Sequence, residues 1–361
     1  LLRGGFDPDE LDRRGDPPIS YAVRGPSDSV SAALVQVLLS GGARADPPPG
    51  SLGPSALGSA VFLGFPESVR CLIKGGADPN YVIQTTHAGG GGDRCLHVLT
   101  DDTPAEIVRM LLDAKADVHA VNARGRTALH LISASGNTAA VRLLLERGAN
   151  PAPPCLHDGS TPLHCAAERG HYEIAEMLIR AGAPPGFVKQ PNGTTPLHMA
   201  AQENNVSVLR LLLREGAPVD AVNRNWCTPL MTAAAHGSVS AASALVSAGA
   251  STCKRNALGM AALESVAVGR SRESPSSEKE FEVLLSALFR SPASNARARS
   301  WRWPARNGGR RAAAALAALQ KQRGQRQKRQ RQQALGEGRE AGAGSGGEVV
   351  GDRGRGAAGA A

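Results

Sequence analysis

The 361-residue chain is long enough for a substantial buried core, and its composition suits packed helices. Hydrophobic residues make up 42% of the sequence but aromatic residues only 3%, which disfavours a β-sandwich because such folds depend on aromatic and β-branched side chains. The net charge of +9 is uneven, since residues 291–361 carry 15 Lys+Arg against 4 Asp+Glu, a net of +11. Residues 1–290 therefore carry a net of −2, and a basic folded body is excluded.

The N-terminal third shows a weak repeat. Residues 1–15 are a lead-in, and the opening Leu1-Leu2-Arg3 lacks a Met, which leaves open whether the chain is a fragment of a larger protein or enzyme. Degenerate repeats follow over residues 16–122, and a wider spacing between the second and third predicts an exposed inserted loop at residues 85–92. Each copy carries two apolar pairs and then Gly-Ala or Lys-Ala: Leu34-Val35, Leu38-Leu39, Gly42-Ala43; Ser68-Val69, Leu72-Ile73, Gly76-Ala77; Ile107-Val108, Leu111-Leu112, Lys115-Ala116.

The repeat is clearest over residues 123–250, where a four-residue motif recurs at steps of 34, 34 and 33 residues. The copies are Thr127-Ala128-Leu129-His130, Thr161-Pro162-Leu163-His164, Thr195-Pro196-Leu197-His198 and Thr228-Pro229-Leu230-Met231. Thr161 is a good N-cap and Pro162 suits the first helical position, so each motif predicts the start of a short helix that ends near a glycine such as Gly170. A second helix with one apolar stripe follows and ends at a left-handed glycine such as Gly182.

These motifs resemble the ankyrin repeat, whose Thr-Pro-Leu-His turn opens the first of two antiparallel helices. The resemblance covers residues 16–290 and implies an all-α ankyrin-repeat solenoid of about eight helix-turn-helix repeats, closed by a capping repeat at residues 256–290. A single helix pair cannot bury its own apolar stripe, so stacking of neighbouring pairs supplies the core.

The recurring histidines are predicted to be structural. Layers about 10 Å apart hold His130, His164 and His198 too far from one another to share a zinc ion. The resemblance implies that each bonds to its Thr and to turn backbone. The six cysteines lack metal-ligand spacing, and Cys165 is expected to pack in the core. We predict no catalytic residues, no metal, no cofactor and no enzymatic activity, since no catalytic or phosphate-binding motif occurs.

The resemblance places the partner-binding surface at the hairpin tips and on the exposed positions of the first helices. The predicted tip residues are Asn122, Arg124, Arg126, His157, Asp158, Ser160, Asn192, Thr194, Arg224, Asn225 and Trp226. Trp226 stands where Gly125, Gly159 and Gly193 stand in the preceding repeats. Either it is an interface anchor, or its turn has another conformation and the indole packs back on the stack.

The C-terminal region is predicted as a linker at residues 291–310, a basic Ala/Gln/Arg-rich helix at 311–335 and a disordered Gly/Ala-rich tail at 336–361. Its basic cluster suits RNA, an acidic protein or a nuclear import receptor, or it is a solvated extension without a dedicated role. Overall we expect a monomeric, non-enzymatic adaptor that binds a protein partner. We place it in the cytoplasm, with the nucleus as the alternative, and expect no membrane insertion because the longest apolar stretch is well short of about 18 residues. A nucleic-acid-associated role is the rival hypothesis.

Overall fold

A computed structural model describes residues 7–13, 15–48, 55–83, 91–262 and 265. Most of the predicted inserted loop therefore lies outside the described residues. The same is true of most of the capping repeat and of the linker, basic helix and tail predicted from residue 291 onward.

The described residues fold into α helices, one 3-10 helix and isolated β-bridges, with no longer strand among them. In chain order the elements are α1 (Pro18–Ala22), α2 (Asp28–Ser40), α3 (Ala56–Leu63), α4 (Pro66–Lys74), the 3-10 helix (Cys95–Val98), α5 (Ala105–Asp113), α6 (Ala128–Ser135), α7 (Thr138–Glu146), α8 (Pro162–Arg169), α9 (Tyr172–Arg180), α10 (Pro196–Gln202), α11 (Val206–Arg214), α12 (Pro229–His236) and α13 (Val239–Ser247). The predicted all-α architecture is confirmed.

Consecutive helices pair into layers, and the layers stack in the order of the chain. The first helices of neighbouring layers pack on one another, as α6, α8, α10 and α12 do, and the second helices form a parallel row of α7, α9, α11 and α13. The core lies between layers, where the apolar stripe of each second helix is buried, as for Ile174 and Leu178 of α9. The stack therefore has no single centre, and each layer depends on its neighbours.

The local signals of the fifth layer act as the sequence predicts. Thr161 is the N-cap of α8, Pro162 is its first residue, and Gly170 ends it in the left-handed conformation at φ 80°. After α9, Gly182 takes φ 102°, a value that L side chains rarely adopt. Four residues of low helical preference thus mark where the helices of this pair begin and end.

The third layer departs from the expected helix pair, because its first helix is a single 3-10 turn. Residues 94–97 still carry a decayed copy of the motif, since the backbone N–H of Arg94 donates to Nδ1 of His97 at 3.1 Å. The turn cannot lengthen into an α helix, because Leu99 is already extended and Pro104 follows shortly. Later in the layer Lys115 takes the left-handed conformation, φ 65°, that glycines hold in the other repeats.

The first layer leaves an apolar stripe in solvent. Val30, Leu34 and Val37 of α2 are 43%, 47% and 56% exposed. In the six following layers the position of Leu34 is at most 1% exposed: Ser68, Ile107, Ala140, Ile174, Val208 and Ala241. The difference arises because, among the described residues, no helix packs on the outer side of α2.

Candidate protein-binding edge

The turns that precede the first helices lie side by side and form one continuous edge of the stack. We call this row the tip edge and define it by residues 120–127, 154–161, 187–195, 221–228 and 253–260. Backbone hydrogen bonds join neighbouring turns: Leu156 N–H donates to Gly125 O at 3.3 Å, Arg224 N–H to Asn192 O at 2.8 Å, and Ala257 N–H to Asn225 O at 2.9 Å. Main-chain bonds therefore hold three of the four pairs of neighbouring turns in register.

A buried histidine ties each of three first helices to the next turn. In His130, Nδ1 accepts from the hydroxyl of Thr127 at 2.9 Å and from its backbone N–H at 3.1 Å, which leaves the proton on Nε2. Nε2 then donates to Ser160 O of the next turn at 2.9 Å. His164 and His198 repeat the arrangement, with Nε2 bonded to Thr194 O at 3.2 Å and Cys227 O at 3.0 Å. The predicted bonding of each His to its Thr and to turn backbone is confirmed.

Burial keeps these imidazoles neutral. Desolvation lowers the pKa of His130 and of His164 from 6.5 to about 4, although the carbonyl that each ring faces partly opposes the shift. The pKa values of His97 and His198 are lowered for the same reason. A histidine with both nitrogens engaged in the interior holds structure and has no nitrogen left for a metal or a proton relay.

Two of the predicted tip residues are buried and hold the turns. The side-chain oxygen of Asn122 accepts from the backbone N–H groups of Arg124 and Arg126 at 3.1 and 3.0 Å. Ser160 is also buried, and its hydroxyl donates to Asp158 Oδ1 at 2.6 Å. The side chains of Asn122 and Ser160 therefore satisfy polar groups of the turns and are not presented at the surface of the tip edge.

The other predicted tip residues reach solvent. Arg124, His157, Asn192, Arg224, Asn225 and Trp226 are exposed, and Arg126, Asp158 and Thr194 are half-buried. Four of them lie together around a cavity of about 340 Å³ between two neighbouring turns, lined by Arg124, Arg126, Cys155, His157 and Asp158. Arg126 and Asp158 form an ion pair there at 3.7 Å.

The carboxylate of Asp158 is strongly stabilised. Its burial by itself would raise the pKa, but hydrogen bonds from the Ser160 hydroxyl, the Cys155 thiol and the Ser160 backbone, with the nearby positive charge of Lys189, hold the pKa well below its usual range. Asp158 is therefore held in its charged form.

Trp226 takes up the glycine conformation and keeps its indole in solvent. Its φ of 58° matches the 69°, 66° and 71° of Gly125, Gly159 and Gly193, and its side chain is 62% exposed. At those three glycines a Cβ would lie within 3 Å of the next turn, whereas at position 226 a side chain is accommodated. The turn thus has the ordinary conformation, and the indole does not pack back on the stack.

Two exposed leucines on the tip edge were not predicted. Leu156 is 80% and Leu258 is 79% exposed, the largest values among the large apolar side chains that the structure describes. Each stands inside a polar turn, which is the only signal that the sequence offers for them. Periodicity does not reveal which way a turn side chain points.

Two of the buried cysteines, Cys95 and Cys165, carry thiols with raised pKa values. Burial raises the pKa of Cys165 to about 11 and that of Cys95 to about 12, so both thiols stay protonated. The predicted packing role of Cys165 is confirmed by its 7% exposure.

Within the described part of the chain, no three His, Cys, Asp or Glu side chains gather as a metal site would require. No helix described there has the length and apolarity to cross a bilayer.

The architecture defines a stacked helical-repeat protein with a preformed edge of turns. A family model for ankyrin repeats in three copies matches residues 96–187 and 178–256. The crystal structure of the human ASB11 ankyrin repeat domain superposes with a TM-score of 0.54 at 30% identity, covering 64% of this chain and 96% of that domain. The chain belongs to the ankyrin-repeat family.

Two curated relatives share part of the sequence. An ankyrin repeat and KH domain-containing protein of Caenorhabditis briggsae is 35% identical over 101 residues, which is 27% of this chain and 4% of the relative. The B-cell lymphoma 3 protein homolog of Mus musculus is 30% identical over 145 residues, 39% of this chain and 31% of the relative. The chain thus spans less than a third of either relative. Ankyrin repeats generally mediate protein–protein interaction and are typically non-enzymatic.

Proposed function

We propose that the protein is a non-enzymatic scaffold or adaptor that binds a protein partner across the tip edge and the adjoining ends of the first helices. The observation that carries the proposal is Trp226, a large aromatic in a backbone conformation that favours glycine. Such a conformation costs roughly 1–2 kcal/mol for an L-residue. Because the indole is mostly exposed, it buries little apolar area and offsets little of this cost in the folded state. Tryptophan is also among the residues most enriched at the energetic centre of protein interfaces.

The rigidity of the edge supports the same role. Backbone bonds between turns and the buried histidines fix the tips before any partner arrives, so little conformational entropy is lost on binding. The exposed side chains around Trp226 include Arg224 and Asn225, which suit the polar rim of an interface.

The test is affinity capture from cell extract with the full chain as bait. Trp226→Gly keeps the turn conformation and removes only the indole, while Arg210→Ala changes an exposed residue of α11, away from the tip edge, and is the matched control. We expect the glycine variant to lose at least tenfold of the captured partner and the control to keep it. Equal capture by all three proteins would remove Trp226 as the anchor and the proposal with it.

A second function is favoured by one sequence observation, the net charge of +11 over residues 291–361. A tail of this kind can supply nucleic-acid affinity that is independent of sequence and sensitive to salt. Binding to generic RNA or DNA at two salt concentrations, with and without these residues, tests it. Salt-sensitive binding that is lost with the tail supports the second function, and absence of binding removes it.

A further inference from the structure

We infer that the segment bound by the tip edge is an extended, acidic stretch of a partner protein that carries apolar side chains. The inference rests on the proposed function and names the chemistry of its partner. It draws on two observations, the charge of the tip edge and the positions of its exposed apolar residues.

The tip edge is basic on a body that is not. Its five turns carry six Lys and Arg residues and one acidic residue, Asp158, a net of +5: Arg124, Arg126, Lys189, Arg224, Lys254 and Arg255. Because residues 1–290 have a net of −2, the rest of that region carries −7. Positive charge is therefore concentrated on the one edge that faces a partner, and it selects for negative charge there.

Two carboxylates at or beside the edge, Asp158 and Asp220, form ion pairs with its cations. Asp158 is held by its hydrogen bonds and pairs with Arg126 at 3.7 Å. Asp220, just outside the edge, lies 3.5 Å from Lys254 and accepts from Ser251 N–H at 3.0 Å. Each of these carboxylates is paired with one cation of the edge, so the edge together with Asp220 keeps a net charge of +4.

Six large apolar side chains of this basic edge are exposed, and Leu156, Trp226 and Leu258, at 62–80%, are more exposed than Val121, Val188 and Val222, at 42–46%. Leu156 lies beside the turn of Arg124 and Arg126, because its N–H bonds to Gly125 O. Trp226 and Leu258 lie on neighbouring turns whose preceding residues are joined by the 2.9 Å bond from Ala257 N–H to Asn225 O. The edge thus offers one strongly exposed apolar anchor on its second turn and a pair on its last two turns, each near cations of the edge.

The spacing of the anchors sets the form of the bound segment. Leu156 and Leu258 are three layers apart, about 30 Å at the usual separation of packed helices. An extended chain advances about 3.3 Å per residue, so about nine residues span the two anchors. A helix would need about 20 residues to span the same distance, so a segment of about nine residues contacts both anchors only when it is extended.

Selection from a random 12-residue peptide display library against the full chain tests the inference. We expect enrichment of peptides rich in Asp and Glu with at least one large apolar residue. A synthetic copy of the leading peptide should bind at least tenfold more weakly to Leu258→Ser and to Trp226→Gly, and unchanged to Arg210→Ala. Its affinity should also fall between 50 and 200 mM salt, because added salt screens the charge pairs between the peptide and the edge.

The two proposals fail in different ways. Enriched peptides that depend on Trp226 and Leu258 but are neutral or basic would overturn the acidic partner and leave the tip edge as a binding surface. Enriched peptides that bind all variants equally would place binding elsewhere and contradict both proposals. Acidic peptides that bind Leu258→Ser as tightly as the wild type would contradict the role of Leu258 as an apolar anchor.

Discussion

At the scale of single residues, Trp226 shows that a side chain can be kept against local backbone preference. Because glycine adopts φ 58° without strain, Trp226→Gly should relieve roughly 1–2 kcal/mol in the folded state. The greater freedom of glycine in the unfolded chain opposes this by about 0.4–1 kcal/mol. We expect a free energy of unfolding equal to or up to about 1.6 kcal/mol above that of the wild type, measured by urea denaturation. A loss of more than about 1 kcal/mol would show that the indole stabilises the fold.

In contrast to the exposed Trp226, the buried apolar stripe of a second helix contributes strongly to the stability of the fold. Leu178 of α9 is fully buried between layers, so Leu178→Ala should lower the free energy of unfolding by about 2–5 kcal/mol through the cavity it leaves. The same substitution at the exposed Leu156 is the matched control and should cost less than about 0.5 kcal/mol. Similar losses at both positions, in chemical denaturation, would contradict the assigned burial.

The spacing of the motif predicts which residues lie in the turns of the tip edge. It does not predict whether their side chains point to solvent or to the interior. The spacing of the motif placed Trp226 at the glycine position, but only the structure shows the indole in solvent. The burial of Asn122 and Ser160 could not be predicted, because Asn and Ser suit both an exposed tip and a buried turn bond. Leu156 and Leu258 were missed because an apolar residue in a turn usually points inward.

At the scale of the helix, the buried Thr–His pair makes the stack sensitive to acid. Folded pKa values of about 4 for His130 and His164 lie below the unfolded value of 6.5, so the unfolded chain binds more protons between these limits. The free energy of unfolding should therefore fall as pH drops from about 6.5 toward about 4, by up to about 1.4 kcal/mol per pH unit for each histidine. Asp158, with its lowered pKa, loses its contribution only below this window.

Urea denaturation at pH 7.5, 6 and 5 measures this slope. In His130→Gln the slope should be smaller than in the wild type, even though the variant is less stable at every pH. A pH-independent midpoint in the wild type would show that these imidazoles are not buried in the neutral form.

Helix ends were predictable because Thr, Pro and Gly act through local geometry, as at Thr161 and Gly170. The first helix of the third layer was not predictable, because Arg94 stands where the motif has threonine. His97 nevertheless makes the bond of the motif histidine to the backbone N–H of Arg94. The signal of this helix was Leu96-His97, placed 33 residues before Leu129-His130.

At the scale of the whole molecule, stability is passed from layer to layer. The α1–α2 layer has one neighbouring layer among the described residues and α1 has only five residues, while the α8–α9 layer is covered on both sides. Opening the first layer thus breaks one interface and opening the fifth breaks two. In native-state hydrogen exchange, we expect the amides of α2 to exchange at least tenfold faster than those of α9. Equal protection would mean that the stack opens only as a unit.

The bare stripe on α2 also makes the solenoid extendable. Its apolar residues occupy the positions that, in the later layers, are buried against the preceding layer. A helix pair with a matching apolar stripe could therefore pack on Leu34 and Val37. Lengthening the protein from that end would leave every turn from residue 120 to residue 260 where it is. Size and recognition can thus be varied independently in this chain.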